Sequence, residues 1–88
     1  IYKFRKGYYI SSKAIIKNKK LLILGNKVEI NEFVIIKTYE SFVKIGQNSQ
    51  INPFSVIYGG SGVNIGMNVM IAPHCMIASG NHDFKQTK

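Results

Sequence analysis

Cysteine is almost missing from this chain, and the one present, Cys75, excludes an internal disulfide framework and a cysteine-based zinc site. Histidine is as scarce: His74 and His82 are too few for a zinc centre that needs three imidazole ligands, so no metal is expected. Acidic residues number 4 against 12 Lys and Arg, which leaves a formal charge of +8. Such a surface attracts anions, but no nucleic-acid motif or interleaving of aromatic and basic residues accompanies it. The charge is read as a solvated face, and no nucleic-acid partner is expected. Long apolar runs are absent too: nothing approaches the roughly 20 residues that cross a bilayer, and the lysine-studded start lacks the apolar centre of a signal peptide. No membrane span and a cytoplasmic location are therefore expected. With Thr38 and Thr87 as its only threonines, the chain also lacks the threonine ranks of an ice-binding solenoid.

What is present is a ruler of six. Ile10, Ile16, Leu24, Ile30, Ile36, Ile45, Ile51, Ile57, Ile65, Ile71 and Ile77 follow one another at gaps of 6, 8, 6, 6, 9, 6, 6, 8, 6 and 6. Two residues before each stands a second series, Tyr8, Ala14, Leu22, Val28, Val34, Val43, Ser49, Ser55, Val63, Val69 and Cys75, mostly small or β-branched. Residues two apart share one side of a strand, so each pair describes a short strand with one face buried. Small or turn-prone residues follow, among them Gly25, Asn31, Gly46, Asn52 and Gly66, where the chain must bend. A six-residue period does not fit a helix of 3.6 residues per turn, and repeated β-branched residues and Gly or Asn corners oppose one as well.

The longer gaps fall at every third step. That pattern predicts three short strands per coil of 20 or 21 residues, a triangular cross-section, and nearly four coils stacked in parallel at about 4.8 Å. The extra residues, 37–42 on one level and 58–62 on the next, are expected to bulge from one shared edge. Its next opening falls just after Ile77, at Ser79-Gly80-Asn81-His82-Asp83, so His82 is expected to project where binding groups are commonly placed. Between the inward pairs, one flank presents Ile15, Ile35, Val56 and Met76 outward, an unbroken apolar column of the kind that marks an interface. Cys75 falls at an inward slot, and His74 in a hexad turn reads as a solvated surface histidine. The Gly59–Gly62 run lacks the Lys and Ser or Thr of a phosphate loop and reads as a flexible corner.

Ile65-Gly66-Met67-Asn68-Val69-Met70-Ile71-Ala72-Pro73, followed by Asn81-His82-Asp83-Phe84, resembles the hexapeptide-repeat O-acetyltransferases, above all the galactoside, maltose and polysaccharide O-acetyltransferases. The likeness covers about residues 24–84. It implies an all-β, left-handed parallel β-helix of about four coils; handedness comes from the resemblance alone, since parallel crossovers are otherwise right-handed. It further implies acetyl-CoA as acyl donor, a sugar or polysaccharide hydroxyl as acceptor, and a homotrimer, which the Ile15, Ile35, Val56 and Met76 face would serve. Residues 1–88 are expected to form a single domain, the N-terminal part of a longer acyltransferase whose later coils carry most of the cofactor surface. His82 is the expected general base, since histidine as a residue type, with an unperturbed pKa near 6.5, suits the removal of a hydroxyl proton at neutral pH. Asn81 is a candidate for orienting acceptor or histidine, or simply a turn residue, and Asp83 a candidate for fixing the ring. The alternative function is a non-catalytic β-helix acting as scaffold or interaction module.

Overall fold

A computed structural model describes residues 7–39 and 41–79. Eleven strands of two to four residues follow in order: β1 (Tyr9–Ile10), β2 (Ile15–Lys17), β3 (Leu22–Leu24), β4 (Glu29–Ile30), β5 (Ile35–Lys37), β6 (Val43–Ile45), β7 (Gln50–Ile51), β8 (Val56–Gly59), β9 (Val63–Ile65), β10 (Met70–Ile71) and β11 (Met76–Ser79). Strands three apart in the sequence pair in parallel, which gives sheets ordered β1-β4-β7-β10, β2-β5-β8-β11 and β3-β6-β9. Three such sheets wound by one chain form a β-solenoid of about four turns, the architecture of a left-handed parallel β-helix. Among the described residues helix is confined to one short 3-10 turn at Lys19–Leu21.

The columns run as the ruler requires. Ile10, Ile30, Ile51 and Ile71 stand one above another in the first sheet, and Ile16, Ile36, Ile57 and Ile77 in the second. Leu24, Ile45 and Ile65 form the third. At mid-height Ile30, Ile36, Ile51 and Ile57 have no solvent exposure, while the equivalents on the first and last coils are half-buried. β-branched residues suit this interior because the pleat holds their stiff side chains at a fixed angle to the neighbour above.

Two inward slots hold serine instead of an aliphatic, and both are fully buried. The Ser49 hydroxyl donates to the Gly66 carbonyl at 2.7 Å and accepts the Val69 N–H at 3.0 Å. The Ser55 hydroxyl repeats the pattern, donating to the Ala72 carbonyl at 2.8 Å and accepting the Cys75 N–H at 3.4 Å. Each serine thus satisfies backbone groups of the coil above at a bend where strand pairing lapses. At a neighbouring corner the Asn31 amide donates to the Asn52 side-chain oxygen, and Asn52 in turn donates to the Ile71 carbonyl.

The long corner differs from expectation in detail. Residues 37–42 and 58–62 do not all bulge outward, because strand alternation continues past the aliphatic column: Lys37 and Tyr58 point out, but Thr38 turns inward and is fully buried. Its hydroxyl reaches the carbonyls of Lys17 and Asn18 on the coil below, each at 3.2 Å.

Corner spacing leaves no room for a side chain at Gly46. A Cβ added there would lie 2.7 Å from the backbone carbon of Gly66 on the coil above. Gly46→Ala is therefore expected to lower stability by about 1–3 kcal/mol, as overpacking does. The urea midpoint measures the loss; an unaltered midpoint would contradict this coil spacing.

Candidate functional site

Two corners of the prism carry stacked side chains with chemistry. The first joins the first sheet to the second. Here Lys13, Phe33, Phe54 and His74 occupy equivalent turn positions on successive coils. Phe33 and Phe54 stack with centroids 5.2 Å apart and planes 15° from parallel, and Phe54 and His74 at 5.1 Å and 4°. The Lys13 ammonium lies 5.8 Å from the Phe33 ring centre. All three rings grow from backbone in the left-handed region, with φ of 62°, 67° and 63°, where glycine or asparagine is the usual occupant. An exposed phenylalanine there costs about 1–2 kcal/mol of backbone energy; the ring stack, at about 0.5–1.5 kcal/mol per pair, offsets it. His74 is exposed, as expected, but it is also the top member of this ladder, a role that only the 20- or 21-residue spacing could have disclosed.

The second corner, the seam, is the long one. Three stacked turns build it: the N–H of Leu21 donates to the Asn18 carbonyl at 2.9 Å, that of Ser41 to Thr38 at 3.3 Å, and that of Gly62 to Gly59 at 3.3 Å. Gly62 adopts φ 105°, which a side chain would strain. Lys17 stacks on Lys37, and Lys37 on Tyr58, in direct register. The Lys37 ammonium lies 5.5 Å from the Tyr58 ring centre, and Tyr39 packs edge-on against Tyr58 at 6.0 Å. The Asn18 amide donates to the Tyr39 carbonyl at 3.2 Å. Ile16, Lys17, Asn18, Lys37 and Tyr39 line a cleft of about 470 Å³ along this edge.

β11 reaches the seam at its top, where Ser79 pairs with Gly59. Asn81, His82 and Asp83, the expected site residues, follow in the sequence and lie outside the described residues. His74 stands on a different corner and joins no seam residue in a hydrogen bond or ring contact among the described residues. Cys75 is half-buried, its side chain at the inward slot that Ser55 occupies one coil below. No group of three or more His, Cys, Asp or Glu capable of holding a metal occurs among the described residues. No helix of the described residues is long and apolar enough to cross a membrane.

Sequence reasoning missed the lysine stack and the ring ladder. Both were visible only as equal residue types at coil spacing on turn and outward positions, which the aliphatic ruler does not sample. No protein-family model matches the chain, and no curated protein or solved structure matches it.

The ladder yields an inverted substitution order. Phe54→Ala removes two stacked pairs but keeps the left-handed backbone, and is expected to destabilise by about 1–3 kcal/mol. Phe54→Gly also relieves the backbone strain and is expected to destabilise less. Chemical denaturation of both variants reads this directly, and alanine as the milder change would remove the strain account.

Proposed function

We propose that the chain belongs to an O-acetyltransferase that moves an acetyl group from acetyl-CoA to a hydroxyl of a sugar or polysaccharide, with His82 as general base. The observation that carries this reading is the seam: β11 (Met76–Ser79) lies on the edge that holds the long corners of the described residues, and Gly80-Asn81-His82-Asp83 follows it in the sequence. A solenoid whose last described strand lies on the long-corner edge, with His82 three residues further on in the sequence, and the resemblance of residues 63–84 support acyl transfer over a passive scaffold.

The chemistry asks little else of the protein. A neutral alcohol attacks a thioester slowly at neutral pH, and an imidazole that takes the hydroxyl proton raises its nucleophilicity as the C–O bond forms. Collapse of the tetrahedral intermediate breaks the C–S bond, and the imidazolium returns its proton to the departing thiolate. Backbone N–H groups at a corner would serve the oxyanion. In this reading Asn81 orients the acceptor or the histidine and Asp83 fixes the ring. The enzyme is a cytoplasmic homotrimer in which the flank formed by Ile15, Ile35, Val56 and Met76 faces neighbouring subunits. Ile15 and Met76 on that flank are 54% and 61% exposed in the isolated chain, and Ile35 and Val56 between them are half-buried.

In the native protein, His82→Ala is expected to lower release of free thiol from acetyl-CoA in the presence of sugar acceptors by about 10²–10⁴-fold, with the far-ultraviolet signature of the β-helix unchanged. Full turnover by His82→Ala would overturn the assignment, and acceptor binding without any turnover by the unaltered protein would favour the scaffold. Sedimentation is expected to give three times the chain mass for the unaltered protein and a monomer for Ile35→Glu, which places a charge in the apolar column. A monomeric unaltered protein would end the trimer.

A further inference from the structure

The stack of Lys17 on Lys37 is an anomaly that the acyl-transfer reading leaves unused. Like charges directly opposite on neighbouring strands destabilise a sheet, and the other lysine in a paired strand among the described residues avoids the arrangement: Lys44 lies between Ile23 and Asn64. Lys17 and Lys37 form the single lysine pair in strand register among the described residues. No carboxylate among those residues lines their cleft. Coil spacing holds the two backbone positions about 4.8 Å apart. Lys37 is half-buried, with Lys17 in register below it and its ammonium 5.5 Å from the Tyr58 ring centre above. The corner backbone beneath is itself pinned by the buried Thr38 hydroxyl and by the Asn18 amide.

We propose that the seam cleft bounded by Lys17, Asn18, Lys37 and Tyr39 is a binding site for a phosphoryl group. Two lysines stacked in register can both turn their ammoniums to a dianion seated between them, and a tetrahedral group presents separate oxygens to each. A planar monoanion such as a carboxylate compensates only one of the two charges. The cleft, at about 470 Å³, has room for a phosphoryl group and part of the molecule that bears it. The site lies on the seam below the point where β11 emerges and does not depend on acyl transfer. Its bearer is a phosphorylated sugar, a nucleotide or free phosphate, which share this chemistry.

The test is a titration of the isotope-labelled protein with inorganic phosphate, followed by amide NMR against sodium chloride of equal ionic strength. Saturable shifts are expected at Lys17, Asn18, Lys37 and Tyr39. Lys17→Gln and Lys37→Gln are each expected to weaken binding about tenfold, the loss of one charge-assisted contact, while Lys27→Gln and Lys44→Gln, on other parts of the prism, leave it unchanged. The two seam variants are independent, so a folding defect in one leaves the other to decide. Parallel titrations with a hexose 1-phosphate and with ADP identify the bearer: whichever outbinds inorganic phosphate names the source, and equal binding by all three assigns the site to the phosphoryl group alone. Glu40 follows Tyr39 in the sequence and lies outside the described residues, so Glu40→Gln is a further arm, expected to keep or strengthen binding. Shifts that never saturate, that spread equally over all lysines, that ignore both seam substitutions, or that appear only in Glu40→Gln would overturn the proposal. None of these readouts involves acetyl transfer, so failure here and failure of the catalytic reading are separate results.

Discussion

Everything in this molecule depends on parallel backbone pairing between coils. A two- or three-residue strand has almost no stability by itself, and each of the eleven acquires it only from its counterpart 20 or 21 residues away. Pairing in register also dictates that like stands on like: isoleucine over isoleucine inside, turn residue over turn residue at the corners. Where the stacked residues are aliphatic or aromatic the repetition stabilises the stack. Where they are charged, as at Lys17 and Lys37, it sets up a repulsion that cannot be relieved by a shift of register without turning the aliphatics outward.

That rule explains which parts of the structure were legible in the sequence. The aliphatic columns were, because burial leaves an unmistakable chemical trace at a fixed period, and Ile30, Ile51 and Ile71 align as the ruler requires. The serine slots were placed correctly at Ser49 and Ser55, although their bonds to Gly66 and Ala72 required the coil above to be in position. The inward turn of Thr38 was not legible. A period of six counts only to the end of each short strand, and whether alternation survives one residue further depends on the hydroxyl finding carbonyls on the coil below.

The expected site rests on a different kind of argument. Residues 81–83 were singled out by their position after Ile77 and by a resemblance, both of which are arguments from order along the chain. The Lys17 and Lys37 cleft and the Phe33, Phe54 and His74 ladder are arguments from adjacency between coils, and they appear only once the columns are laid side by side. Reading an outward position together with those 20 and 21 residues away recovers both, which makes surface columns as informative as interior ones for a solenoid.

One consequence follows from the unequal coil lengths. Ile16 pairs with Ile36 across 20 residues, and Ile36 with Ile57 across 21. The additional residue falls between Ile36 and Val43, yet Val43 still pairs with both Leu22 and Val63. The insertion is therefore swallowed at a single bend. Such a bend can grow, shrink or change composition while the walls of the prism keep their alignment, so this edge is free to acquire new binding groups under selection at little risk to folding.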